Sequence, residues 1–526
     1  MQRRVKSLDA ILATASNKSL KRSLSWPQLT MLGIGGIIGT GIFVLTAEAA
    51  QKAGPGMIIS FVLAATVCGL AALCYAEIAA MIPVAGSAYT YAYATFGEFF
   101  AWIVGWALVL EYAVAASAVA VGFSGYLVGL LDHSLGIVVP HALAVGPYAG
   151  GIINLPAVLI AIAVTLLLIR GTQESANVNA FLVAIKILAL TMFVILTLPL
   201  IDSTRFHPFN PLGFMGSVNS KLGENGIIGA ASSIFFAFVG FDAVSTAAEE
   251  TKNPQRNVPI GLVLSLVICT IFYMLVAAGV VGSIGAQPVF DALGHWVAPG
   301  TPALTQACDA VKNGPVVCSH EALAYVLHVV NYPWASVALG VAATVALPSV
   351  VLMMMYAQTR IFFVMSRDGL LPRGLSKVHS RYKTPHVVTM MTGALVTVAA
   401  AFFPVGALAD ISNGGTLCAF AFVALAIMAL RRRDPLRHRP FRTPAVWVIA
   451  PLAVFGCVGL FVFLTPDAKT VFFGWLAVGL IVYFAYARQN SNVAKGVIEV
   501  GETDPAAPPI GLAPIGSAHT PGWKDA

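Results

Sequence analysis

Apolar stretches long enough to cross a bilayer recur from residue 29 to residue 488, and they leave this chain few ways to fold. A membrane-spanning helix needs about 20 apolar residues. Breakers and charges divide the sequence into twelve such runs: 29–50, 57–82, 99–131, 152–170, 177–200, 226–248, 259–284, 331–365, 387–405, 407–430, 445–465 and 470–488. Only 10% of the 526 residues are charged, against about a quarter in soluble domains. No soluble core could hide so much apolar surface. The expectation is an all-α membrane protein with 12 transmembrane helices, the third and eighth tilted or extended past the bilayer surface.

Positive charge sets the expected orientation. With the N-terminus inside, cytoplasmic segments hold Arg170, Lys252, Arg256, the group Arg367, Arg373, Lys377, Arg381 and Lys383, and the group Arg431, Arg432, Arg433, Arg437, Arg439 and Arg442. The opposite loops hold only Lys52, Arg205, Lys221, Lys312 and Lys469. Both termini are then cytoplasmic, in the cell (inner) membrane, and the net charge of +7 reports topology, not nucleic acid. Segment 1–28, with Leu8, Ile11 and Leu12 on one amphipathic face, reads as an unprocessed cytoplasmic N-terminal segment. Segment 489–526 reads as a disordered cytoplasmic tail. Cys68, Cys74, Cys269, Cys418 and Cys457 fall in apolar runs and read as small core residues. Cys308 and Cys318 share the loop 285–331, where a disulfide and two free thiols are both open.

Two runs are poor helices. The first carries Gly33, Gly35, Gly36, Gly39 and Gly41 within nine residues, at about 1 kcal/mol each against alanine. The second, Ser232–Thr246, sets Gly240 beside the intramembrane Asp242 amid Phe235, Phe236, Phe238 and Phe241. Unwound backbone is tolerated in a membrane only where protein or a polar cavity satisfies it. Small-residue packing explains either segment alone; their matching places, first in each five-span half, point to a midplane binding site. Open N–H groups attract a carboxylate and freed carbonyls attract an ammonium. An α-amino acid carries both.

Other charges lie in the spans. Lys186 stands about ten residues from the cytoplasmic end of its run, ~15 Å deep at 1.5 Å per residue. It serves either proton coupling or a fixed structural role in place of a cation. Glu111 lies at similar depth and either approaches Lys186 or is satisfied by hydroxyls. Asp242 lines or braces the site, Glu77 is solvated or braces a gate, and Glu249, Glu250, Lys252, Asn253 and Arg256 form either a cytoplasmic gate network or a solvated helix end. One or two of the four phenylalanines could gate. His133 and His141 share an outer loop, lack a carboxylate partner at motif spacing, and read as surface residues.

At Gly33–Phe43, at 235–259 and at Tyr356–Pro372 (with Gln358-Thr359-Arg360 and Ser366-Arg367-Asp368-Gly369-Leu370-Leu371-Pro372), the chain resembles the amino acid–polyamine–organocation superfamily. Within it, the likeness is strongest to the cationic amino acid transporters and their bacterial relatives, and it runs from the N-terminal segment to about residue 490. The resemblance implies the LeuT-type fold: a 5+5 inverted repeat over 29–200 and 226–430 with broken helices 1 and 6, plus two extra helices over 445–488. It further implies that the substrate carboxylate meets the amides of Gly39, Thr40 and Gly41. The amine would meet the carbonyls of Ile37, Phe236, Ala237 and Val239, with the Phe236 ring closing over it. By the same resemblance, Lys186 takes the place of a sodium ion near the first and eighth spans, and Glu111 serves proton coupling or side-chain recognition. Relatives often have Thr-Thr where this chain has Pro348-Ser349; proline usually kinks a helix, and Ser349 could keep a hydroxyl near Lys186.

The reading is a secondary active transporter of amino acids working by alternating access, as a proton-coupled symporter. The alternatives are a cationic amino acid or polyamine exchanger and a non-transporting amino acid sensor. No cofactor, metal or enzyme activity is expected. The coupling ion would be H+ without sodium, the partners an amino acid and the lipid bilayer, and the oligomeric state is open.

Overall fold

A computed structural model describes residues 24–83, 87–171, 176–217, 220–248, 251–309, 315–382, 384–493 and 495. Most of the described residues are helical, and among them there is no strand, only isolated bridges at Leu24–Thr251 and Phe290–Trp296. Eight helices are long and apolar enough to cross a membrane, and three shorter apolar helices accompany them.

The first run, expected over 29–50, is three pieces: α1 (Trp26–Ile37), α2 (Thr40–Phe43) and α3 (Leu45–Ala53). Ser25 and Gln28 form a capping box at the start of α1, with Pro27 in its first turn, where a missing N–H costs nothing. Then follow α4 (Met57–Met81), α5 (Ser87–Thr95), α6 (Glu98–Leu135), α7 (Leu155–Arg170) and α8 (Ala176–Thr197). The second half contains α9 (Gly226–Ile234), α10 (Ala243–Thr246), α11 (Pro254–Ile284), α12 (Ala322–Val329), α13 (Pro333–Arg367), α14 (His386–Phe402) and α15 (Val405–Arg433). α16 (Val446–Val462) and α17 (Pro466–Val482) complete it.

Packing places α6 at the centre, against α13 and α15. α11 lies on α4 and α1, α14 on α7, and α16 on α15 and α4. The indoles of Trp106 and Trp475 stack at 4.6 Å, and each donates to the other's carbonyl at 2.8 Å, fixing α17 to α6.

Two expectations change. Segment 489–526 does not begin as a disordered tail: Ser491 donates to Glu98 at 2.5 Å and the Asn492 amide to the Asp368 carbonyl at 3.0 Å. Lys52 is not a loop lysine but is 2% exposed. Pro348 lies inside α13, which runs from Pro333 to Arg367. The open question about the loop 285–331 is answered by a Cys308–Cys318 disulfide. Residues 1–23, Glu249 and Glu250 lie outside the described residues.

Candidate functional site

Both glycine-bearing spans are broken. α1 stops at Ile37, and the backbone of Ile38 (φ −73°, ψ 97°) and Gly39 (φ −150°, ψ −150°) is extended before α2 resumes at Thr40. Val44 keeps a helical backbone, so residues 40–53 continue as one half-helix. In the other span α9 gives way to a single 3-10 turn, Phe235–Phe238; Val239 is extended (φ −64°, ψ 138°), and Gly240 has φ 114°. That last angle is reserved for glycine. A Cβ there would also lie 2.7 Å from the Gly36 carbonyl oxygen.

The two breaks meet. Ile37, Gly39, Thr40, Gly41, Phe236, Ala237 and Val239 are all buried, and Gly41 packs directly on the backbone of Ala237. The Tyr273 hydroxyl of α11 stands 2.8 Å from the Ile37 carbonyl and 2.9 Å from that of Ala237. A phenol has one proton, so it serves one carbonyl at a time. Sequence reasoning passed over Tyr273, which sits in an apolar run with no breaker nearby. The Thr40 hydroxyl is buried beside Gly122 of α6, without a hydrogen-bond partner among the described residues.

The phenylalanines divide. Phe235 and Phe241 pack on Phe420, and Phe238 on Tyr273. Phe236, 5% exposed, has no ring partner among the described residues. Its side chain alone is uncommitted to an aromatic cluster.

Lys186 is 1% exposed and donates to the Gly35 carbonyl at 2.8 Å, one turn before the first break. Gly35 leaves space for Asn179 and Val183 of the same helix as Lys186; a Cβ would lie 3.0 Å from each. The recorded bond of the Ser349 hydroxyl is to Ala346, 2.8 Å away in its own helix. Glu111 does not pair with Lys186: both its carboxyl oxygens lack a hydrogen-bond partner among the described residues. Its backbone carbonyl accepts from Ser412 of α15, and Tyr112 beside it donates to Asp242 at 2.6 Å. Among the described residues one Asp242 oxygen lacks a hydrogen-bond partner; through the other, Asp242 braces α6 against the second break.

Among the described residues no cluster of three His, Cys, Asp or Glu side chains could hold a metal ion. The profile of the amino acid permease family matches residues 24–486. The chain belongs to the amino acid permease family. It is 42% identical over 489 residues to a branched-chain amino acid permease, BcaP, of Bacillus subtilis, covering 92% of this chain and 97% of that one. It is 39% identical over 496 residues to a methylthioribose transporter of the same organism, covering 94% and 99%. Identity to a vacuolar cationic amino acid transporter of Arabidopsis thaliana is 34% over 418 residues, covering 79% and 64%.

On one side of the breaks, helices of this permease are joined by polar groups that sequence reasoning missed. The Lys52 ammonium reaches Ser233 at 2.5 Å, Asp410 at 3.2 Å and Glu48 at 3.9 Å. Ser233 also donates to Asp410, and Asn413 holds the carbonyls of Ser232 and Ser233. Gln51 makes three hydrogen bonds to the backbone of Val289 and Val297 in the loop 285–331. α3, α9, α15 and that loop are thereby fastened together. Asp410 was findable: it is an isolated acid in an apolar span.

His133 does have a carboxylate partner, Glu321, at 3.2 Å. The partner comes from 188 residues away, so no motif spacing could show it. Burial raises the Glu321 carboxyl to about 7, against the lowering effect of His133 and with a smaller push from Asp132. On the other side, Glu77 is not solvated. It is fully buried, accepts two bonds from Arg431 at 2.9 and 2.7 Å and one from the Thr443 amide at 2.7 Å, and lies 3.2 Å from Arg439. Of the expected gate network, Lys252 and Arg256 are exposed, while the Lys252 amide donates to the Leu24 carbonyl at 2.8 Å.

Proposed function

We propose that this permease is a secondary active transporter that carries neutral amino acids across the cytoplasmic membrane as a proton-coupled symporter. The observation that carries this reading is the meeting of two unwound segments beside a buried ammonium. The N–H groups at the start of residues 40–53 have no helical acceptor behind them, which suits a carboxylate at Gly39, Thr40 and Gly41. Carbonyls end the opposing half-helices at Ile37, Phe236, Ala237 and Val239, which suits an α-ammonium. The uncommitted Phe236 ring is placed to cover the ligand. Lys186 on the Gly35 carbonyl supplies a positive charge without sodium, and an ionisable group inside a membrane span is the natural candidate for proton coupling.

Alternating access needs two units that rock, and the packing supports them. Taking α1–α3 as the first span and α9–α10 as the sixth, a shift of five spans maps contacts onto contacts. α4 meets α11, α6 meets α13 and α7 meets α14, each its own counterpart. α1 on α11 corresponds to α9 on α4, and α6 on α15 to α13 on α8. Five spans is an odd number, so the two units run oppositely through the bilayer, as in inverted-repeat transporters. The disulfide belongs outside, on the face opposite the basic loops, which supports cytoplasmic termini.

Neutral side chains are favoured because the Asp242 carboxylate is engaged by Tyr112 and the surroundings of Gly39 and Gly36 are Val350 and Met353. The relative named a branched-chain amino acid permease agrees. Uptake into proteoliposomes, with labelled leucine, alanine, lysine, putrescine and methylthioribose and with proton and sodium gradients imposed separately, tests the reading. Leucine or alanine uptake driven by the proton gradient is expected, and Lys186→Met should lose that drive. Undiminished proton-driven uptake in this variant overturns the coupling role. Counterflow without any gradient would instead establish an exchanger, and binding without transport a sensor.

A further inference from the structure

Away from the breaks, a cleft of about 610 Å³ opens between α4, α11 and the segment joining α15 to α16. Its wall on α11 runs from Gln255 and Arg256 through Ile260, Val263 and Leu264 to Val267, with Leu73 opposite and Phe441 at the end. Eleven residues separate Arg256 from Val267, ~16 Å along a helix, about half the apolar thickness of a bilayer. Val267 is 48% exposed, so the deep end opens sideways toward lipid. Arg256 lines the cleft and is exposed, and Arg442, next in sequence to the lining residue Phe441, is exposed as well; among the described residues no carboxylate pairs with either.

We propose that this cleft is a binding site for one anionic phospholipid of the inner leaflet, its acyl chain along α11 and its phosphate between Arg256 and Arg442. An apolar trough one leaflet deep, with the Arg256 guanidinium on its wall and Arg442 beside its lining residue Phe441, matches a lipid with a charged head; a soluble anion would leave the trough unfilled. Guanidinium groups favour phosphate because their paired N–H donors match its oxygens, and basic pockets between helices on this side select anionic headgroups. The site also bears on movement. α11 begins after Asn253, whose φ is +47°, immediately beyond the point where Lys252 and Thr251 pair with Leu24. A headgroup on Arg256 therefore sits over the junction of α1, α10 and α11, where the inner halves of both broken spans are anchored.

The full chain, purified and delipidated, is re-exposed to mixed micelles of phosphatidylcholine and phosphatidylglycerol, and retained lipid is measured by native mass spectrometry. Retained phosphatidylglycerol should exceed phosphatidylcholine, lose selectivity at high salt, and fall about fivefold for Arg256→Ala or Arg442→Ala, while Arg256→Lys retains it. Soluble glycerol phosphate should not compete. A tryptophan introduced as Val263→Trp should be quenched by phosphatidylglycerol brominated on its acyl chain. In proteoliposomes, phosphatidylglycerol should raise the maximal uptake rate without changing the substrate concentration for half-maximal uptake, and Arg256→Ala should abolish that response. Equal retention of the two lipids, or unchanged retention in both arginine variants, overturns the proposal, as does absence of quenching at position 263.

Discussion

Glycines at the first break have different duties, and substitutions separate them. Gly41 faces the backbone of Ala237, so it permits one helix to touch another rather than leaving room for a ligand. Gly41→Val should therefore lower the thermal stability of the purified protein by about 1–3 kcal/mol, the usual effect of overpacking, and reduced substrate binding would follow from that. Gly39 is the contrast: a Cβ there meets Val350 at 3.5 Å, an ordinary contact, and its φ of −150° suits any residue. Gly39→Ala should fold with near-normal melting temperature while uptake falls, because the new methyl stands beside amides proposed to hold the carboxylate. The sequence marked both glycines as one run. It could not assign their partners, since Ala237 lies almost two hundred residues away and carries no distinguishing chemistry.

At the scale of elements, the network on α3, α9 and α15 makes a sharper test. Removing one member of a buried ion pair leaves the other charge uncompensated and costs about 3–5 kcal/mol. Asp410→Asn should destabilise the permease by an amount in that range in thermal unfolding. Adding Lys52→Met should recover most of it, since the pair itself is worth little against apolar replacements. Additive losses would show that Lys52 and Asp410 act separately. The helices themselves were legible because about 20 apolar residues between charged or Pro-bearing segments admit little else in lipid. The breaks were legible because glycine and a lone intramembrane acid are costly unless used. Lys52 misled because it lies next to Gln51 and close to Gly54 and Pro55, which resemble a loop. Only packing against residues 181 and 358 positions away puts it inside.

Across the whole molecule, Glu321 meets His133 of α6, and the His328 ring lies 5.2 Å from that of His133. Glu321 holds its proton more tightly in the folded protein, at about 7, than in the unfolded chain, near 4.5. Stability from this group is fully present below pH 4.5 and is lost as the pH rises through about 7. Melting temperatures of the purified permease should fall over that window, and Glu321→Gln should flatten the slope. A wild-type melting curve indifferent to pH there would refute the assignment. That the chain is a set of apolar helices was evident from sequence alone, and eight of them are long enough to cross a membrane; the pairing of Glu321 with His133 was not, because long-range partners leave no periodic mark.

Tyr273 carries a consequence for the empty permease. With one hydrogen to share between Ile37 and Ala237, it must always leave one of the two oxygens wanting. An ammonium group, with three hydrogens, could satisfy both and draw the two interrupted spans together. Cargo would then act as a fastener, so that an unladen permease breathes more freely at its centre than a loaded one.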